Sequence, residues 1–267
     1  MRKLALSTAS FILWSSALLA AAPPSLDTPD VKIRQLEEGV FLHVTTEQSI
    51  EANGLVVKLA SGYLLVDTGW RPEQTEKILA WGDKELGGTC AGVVVTHSHS
   101  DRSGGLAVLA KRGIPILASE STANALRAVA AGITGVVGPK KTIADDPRGF
   151  TLFYPGPAHS PDNIVVYFPS SHVLFGGCLV RPAAAKDLGT TTDANLGAWP
   201  ETVKAVGKRF PKAALVVPGH GAPGTKHLLT HTLALLAKAP APASPAAPAA
   251  PAAPATPVPA TGTKKAH

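Results

Sequence analysis

Residues 97 to 105 read His-Ser-His-Ser-Asp-Arg-Ser-Gly-Gly, directly after the buried-type run Val93-Val94-Val95. Two histidines two apart in an extended segment project to the same side. A carboxylate, Asp101, follows on the turn, and glycines let backbone approach closely. Imidazole, imidazole and carboxylate at the end of a strand are the ligands of a zinc site held rigidly while open to solvent. Three later residues fit the same chemistry. His159 lies in the turn Gly156-Pro-Ala-His-Ser-Pro-Asp-Asn163, Cys178 follows Gly176-Gly177, and His220 follows Pro218-Gly219. Each stands where a strand-like run ends in small residues, a position from which a layered scaffold presents ligands. Together they make six zinc-type donors. Such a set points to a Lewis-acid hydrolase, in which the metal brings the pKa of water towards roughly 7.

The elements that must position these groups are read from hydrophobic pattern. Short β-branched runs separated by turn residues fill 31–68, including 39–44, 54–59 and 63–67. Pro72 and Gly87 bracket a helix carrying Ile78, Leu79 and Trp81. Residues 106–109 read as helix and 114–117 as strand, and Ser119 caps a helix reaching about Ala131. A second strand-rich block covers 150–154, 163–168 and 172–175. A helix at 198–209, a strand at 214–217 and a helix at 225–238 follow it. Strands followed by mixed strand and helix, twice over, predict two packed sheets with helices outside.

The ends of the chain have other compositions. Arg2-Lys3, an apolar stretch from Leu4 to Leu19 and Ala20-Ala21-Ala22 read as an export signal over 1–22, too short for a membrane span. No cysteine follows it to carry a lipid. Residues 239–267 are Ala-Pro repeats with a short polar end, which predicts an extended, solvated tail. The expected domain is 28–238, in a protein exported to the periplasm. The net charge of +6 shrinks once Arg2, Lys3, Lys264 and Lys265 are set aside, leaving 21 basic against 19 acidic residues. No basic stripe with interleaved aromatics is present, so nucleic acid is not an expected partner.

The chain resembles the metallo-β-lactamases, specifically the subclass with a cysteine ligand, B1, from about Val31 to Lys238. The motifs that carry the resemblance are His97-Ser-His99-Ser-Asp101-Arg102-Ser-Gly-Gly, Gly156-Pro-Ala-His159-Ser-Pro-Asp-Asn163, Gly176-Gly-Cys178-Leu-Val-Arg181, Asp193-Ala-Asn195-Leu and Pro218-Gly-His220-Gly. Asn53-Gly54-Leu-Val-Val and Leu65-Val-Asp67-Thr-Gly-Trp70 match as well. The resemblance implies an α/β fold, the four-layer αβ/βα sandwich, in a monomer. It implies two zinc ions, one held by His97, His99 and His159 and one by Asp101, Cys178 and His220, with a β-lactam as substrate. Cys178, as a ligand thiolate, is then unavailable for a disulfide with Cys90. Asp67 is expected to orient the metal-bound region from outside it, with Arg102 beside it. Asp101 and Thr190 are expected in catalysis, and Arg181, Thr190 and Asn195 at the substrate.

Two positions separate this subclass from other hydrolases of the fold. Arg102 stands where many of those relatives have a further metal-binding histidine, and Cys178 supplies the missing donor. Arg181 replaces a usual lysine and suits a substrate carboxylate. The departures are Thr190, where the family often has an asparagine, and the short segment 45–53, which has no aromatic. They predict a weaker grip on bulky apolar substituents, and they keep lactone or thioester hydrolysis open as an alternative. The tail keeps open a weakly catalytic, wall-associated metal protein.

Overall fold

A computed structural model of the chain describes residues 23–239. The expected export signal and most of the expected tail lie outside the described residues. Thirteen strands and six helices are formed among the described residues. The first sheet runs β1 (Leu26–Asp27), β2 (Val31–Glu37), β3 (Val40–Glu47), β4 (Ile50–Lys58), β5 (Tyr63–Val66), β6 (Cys90–Val94), β7 (Ile116–Ser119), β8 (Ile133–Val137), in chain order. It is antiparallel through β5 and parallel from β5 to β8. The second sheet is ordered β13 (Leu215–Pro218), β12 (Val173–Gly177), β11 (Val165–Phe168), β10 (Phe150–Phe153), β9 (Ile143–Asp146). There β12 and β13 are parallel and the rest antiparallel.

The period-two alternation of these strands produces three apolar layers. Leu42, Leu55, Leu64 and Val66 from the first sheet meet Leu152, Val166, Phe168 and Phe175 from the second. Tyr63 and Leu65, pointing the other way, pack with Ile78, Leu79 and Trp81 of α1 (Pro72–Glu85) and Leu106 and Leu109 of α3 (Leu106–Lys111). On the far side, Val165, Leu174 and Val216 pack with Trp199 and Val203 of α5 (Trp199–Arg209) and Leu228 of α6 (His227–Leu236). Strands buried on both faces read as continuous apolar runs, as Tyr63-Leu64-Leu65-Val66 does. The fold is the expected four-layer αβ/βα sandwich.

Several elements differ from the sequence expectation. The helix capped by Ser119, α4, stops at Leu126 rather than near Ala131. The chain then returns to the sheet as β8, which pairs with β7, and continues into β9, neither of which was anticipated. Asp101 lies not on a plain turn but inside a four-residue helix, α2 (Ser100–Ser103). The segment 45–53 is shorter than a loop. β3 and β4 run to Glu47 and Ile50 and are joined by Gln48 and Ser49, both with positive φ (47° and 66°). That is the backbone of a tight two-residue hairpin.

Candidate metal centre

The parallel order of β5 and β6, and of β12 and β13, brings four strand ends to one rim. His97 and His99 follow β6, Cys178 follows β12, and His220 follows β13. Register pairs Gly177 with Pro218, so Cys178 and His220 leave the sheet side by side. Gly219 between them has no room for a side chain. A Cβ there would stand 2.5 Å from Cys178 Sγ and 2.9 Å from Arg102 Nη2. His159 comes from the β10–β11 connection, with its ring edge-on to Trp199 at 5.9 Å.

The six donors form two groups, His97–His99–His159 and Asp101–Cys178–His220, with the donor atoms of each within 4.8 Å of one another. In the first, His99 Nδ1 lies 3.1 Å from His97 Nε2 and 3.3 Å from His159 Nε2. In the second, Asp101 Oδ2 lies 3.6 Å from Cys178 Sγ and 3.3 Å from His220 Nε2. Tetrahedral zinc with the usual bond lengths to nitrogen, oxygen and sulfur requires edges of roughly 3.3 to 3.6 Å. The residues present therefore fit zinc in both donor type and spacing. Burial pushes His97 well below the ordinary imidazole pKa and His159 down to about 4. Both are thus neutral at physiological pH, the form that binds metal.

The surroundings fix two of the imidazoles. His99 Nε2 lies 2.9 Å from Asp193 Oδ2, and His220 Nδ1 lies 2.6 Å from the Glu51 carbonyl oxygen. With their other ring nitrogens facing the metal groups, both contacts are N–H donations that set tautomer and ring direction. Asn53 clamps the His220 segment across the two sheets. Its amide side chain donates to Pro218 and Gly221 carbonyls at 2.9 and 2.7 Å, and its backbone N–H donates to Gly219. Asp67 accepts the Thr96 amide at 2.7 Å and the Thr96 hydroxyl at 2.9 Å, so it anchors the root of the histidine loop. Its φ is +61°, a strained value for a residue with a side chain.

Arg102 is fully buried and joins the parts. Its Nη2 lies 2.7 Å from Asp101 Oδ2, donates to Cys178 Sγ at 3.1 Å and donates to the Gly219 carbonyl at 2.7 Å. Its Nη1 donates to the Asn53 carbonyl and lies 3.4 Å from Asp67. Burial raises the Asp67 carboxyl to about 7 against the pull of Arg102. Burial would raise Asp101 as well, but Arg102 and His220 outweigh it and hold that carboxylate well below the usual range. His220 is raised to about 9 although burial opposes this, because Asp101 and Cys178 hydrogen-bond to its ring. Cys178 and Cys90 are both free thiols, with Cys90 half-buried on β6.

The groups open onto a cleft of about 580 Å³. His99, Asp101, His159 and His220 line it from the donor groups, and Arg181, Thr190, Thr192, Ile50 and Trp70 line it beside them. Asn195 is not brought there. Its Oδ1 accepts the Ala198 amide at 2.9 Å at the entry to α5. The residue that the same motif does contribute is Asp193, whose pairing with His99 spans 94 positions and leaves no local signal. Among the described residues no helix is long and apolar enough to cross a membrane.

A sequence profile of the metallo-beta-lactamase superfamily matches residues 51–220. The metallo-beta-lactamase type 2 of Bacillus sp. (strain 170) is 37% identical over 217 residues, covering 79% of this chain and 84% of that protein. Among solved structures, a metallo-β-lactamase from Erythrobacter litoralis matches with a TM-score of 0.74 at 30% identity, over 81% of this chain and 100% of that one. A metallo-β-lactamase from Pseudomonas aeruginosa, in its mono-zinc form, matches with a TM-score of 0.73 at 32% identity, over 78% and 96% of the two chains.

Proposed function

The chain belongs to the metallo-β-lactamase superfamily, and on that premise we propose that it hydrolyses the amide bond of β-lactam antibiotics at a centre of two zinc ions. The observation that carries this reading is the pair of donor groups whose spacings match the edges of two zinc tetrahedra. His97, His99 and His159 would hold one ion, and Asp101, Cys178 and His220 the other. When bound, zinc supplies Lewis acidity that makes water a nucleophile near neutral pH and stabilises charge on the reacting carbonyl.

The chain's own residues bind and orient. Arg181 on the cleft wall takes the substrate carboxylate, and Thr190 beside it offers a hydroxyl to the carbonyl. Asp101, kept ionised by Arg102, accepts a hydrogen bond from the attacking water and so directs its lone pair. The new C–O bond forms as the C–N bond breaks, and the water's proton ends on the nitrogen. Asp193 and Glu51 hold the imidazoles in their metal-binding tautomers. Ile50, 53% exposed on the tight hairpin, is the aliphatic group of the cleft lining. With so little apolar cover, bulky apolar substituents are held weakly.

The protein works as a monomer in the periplasm, where it confers antibiotic resistance. A panel of penicillins, cephalosporins, carbapenems, lactones and thioesters tests the assignment. Turnover of the β-lactams is expected. Zinc-loaded protein that cleaves only the lactones or thioesters would overturn it.

A further inference from the structure

The loops carrying His97–His99 and His159 come from different sheets, and one carboxylate joins them. Asp162, in the β10–β11 connection, is 4% exposed. Its Oδ2 accepts the Ser98 amide at 2.9 Å and the Thr122 hydroxyl at 2.9 Å. Its carbonyl oxygen accepts the Ser119 hydroxyl at 2.9 Å. Ser119 in turn caps α4 by accepting the Thr122 amide at 3.0 Å. One step away, the Ile164 amide donates to the Thr96 carbonyl at 2.8 Å. The segment 96–98 is therefore tied twice to 162–164, once by backbone and once by the Asp162 side chain. Asp162 Oδ1 is buried with no partner among the described residues. A carboxylate in such a place carries a desolvation cost that its two hydrogen bonds only partly offset.

Ser98 is the residue between two ligands. Its amide belongs to the peptide plane that follows His97, and its Cα fixes the plane that precedes His99. Holding that amide on a fixed acceptor restricts the torsions that separate the two imidazoles. We propose that Asp162 is a positioning residue. Through the Ser98 amide it sets His97 and His99 at the spacing and angle at which they meet His159, and so it tunes the three-imidazole metal site from the opposite sheet. The inference rests on the reading of that trio as a metal site.

The test uses Asp162→Ala, Asp162→Asn and Thr122→Val beside the unaltered protein. The readouts are the dissociation constant of the first equivalent of Co²⁺, by chelator competition, and the visible ligand-field spectrum of the one-equivalent protein. Melting of the metal-free protein is followed in parallel. Asp162→Ala is expected to weaken the first site about 10- to 100-fold, the usual effect of removing an outer partner, and to shift the cobalt bands. Asp162→Asn, whose amide oxygen can take both hydrogen bonds, is expected to restore affinity and spectrum. Thr122→Val should lower the melting temperature and leave both cobalt readouts in place. Unchanged affinity and spectrum in Asp162→Ala would overturn the proposal, as would equal losses in Asp162→Asn or Thr122→Val. If Asp162→Ala does not fold, Asp162→Glu, which moves the acceptor by one methylene, is expected to show the same loss. Failure of the unaltered protein to bind cobalt would overturn the metal reading itself.

Discussion

Arg102 Nη2 donates to Cys178 Sγ at 3.1 Å and lies 2.7 Å from Asp101 Oδ2, so one buried guanidinium touches two of the three donors of the Asp101–Cys178–His220 group. The same side chain reaches Asp67 and the carbonyls of Asn53 and Gly219. Three acidic groups without this cation would face one another in a site shielded from water. Arginine, with its planar fork of donors, can serve five partners at once where a lysine cannot.

Arg102→Met leaves Asp67 and Asp101 buried without their cation. Breaking a buried pair on one side costs about 3–5 kcal/mol. Urea unfolding of the metal-free protein should show a loss of that order, and an unchanged midpoint would contradict the role given to Arg102.

Cys178→Ser removes one donor of the second group and leaves His97, His99 and His159 intact. Zinc bound after dialysis should fall from two equivalents to one, with β-lactam turnover down by at least the 10- to 100-fold that loss of an outer partner causes. A variant that still retains two tight zinc ions would show that the second site is built otherwise.

Asp193→Ala takes away the acceptor of His99 Nε2–H. The expected loss is about 10- to 100-fold in metal affinity or turnover. Asp193 is exposed on its loop, so melting should stay near that of the unaltered protein. Wild-type affinity together with wild-type turnover would remove Asp193 from the centre.

His43 provides a pH signature of the fold itself. Its ring is fully buried, with Nε2 3.3 Å from the Val66 carbonyl and room made by Gly54, where a Cβ would strike the imidazole. Burial lowers its pKa from 6.5 to about 4. The folded state therefore binds this proton less readily than the unfolded chain. Its stability contribution is fully present above about pH 6.5 and is lost as the pH falls through about 4, roughly 3 kcal/mol in all. Unfolding free energies of the metal-free protein between pH 7 and 4 should fall more steeply than those of His43→Gln, and parallel slopes would refute the assignment.

The ligands were legible because each is announced by its neighbours in the chain. His97-Ser-His99-Ser-Asp101, Gly-Gly-Cys178 and Pro-Gly-His220 all mark a strand end in a few residues. What holds the ligands was less so. Asp193 and Asp162 stand inside recognisable motifs, but the chain order does not reveal that they reach His99 and Ser98, nor that the Glu51 carbonyl reaches His220. Asn195, expected at the substrate, is not among the residues lining the cleft, and its Oδ1 accepts the Ala198 amide at the entry to α5. In the fold, β8 and β9 escaped notice because Gly135 and Asp145-Asp146 interrupt the β-branched pattern. Pairing with β7 and β10 forms them regardless. The cap at Ser119 was visible, whereas the end of its helix depends on the chain rejoining the sheet.

The most direct test follows carbapenem hydrolysis while zinc is returned to chelator-stripped protein. Activity absent without metal, and restored as the first and second equivalents of zinc are added, is the predicted result. Hydrolysis that persists after complete removal of metal, or zinc-loaded protein that leaves the carbapenem and a penicillin intact, would contradict a β-lactamase built on these two groups of ligands.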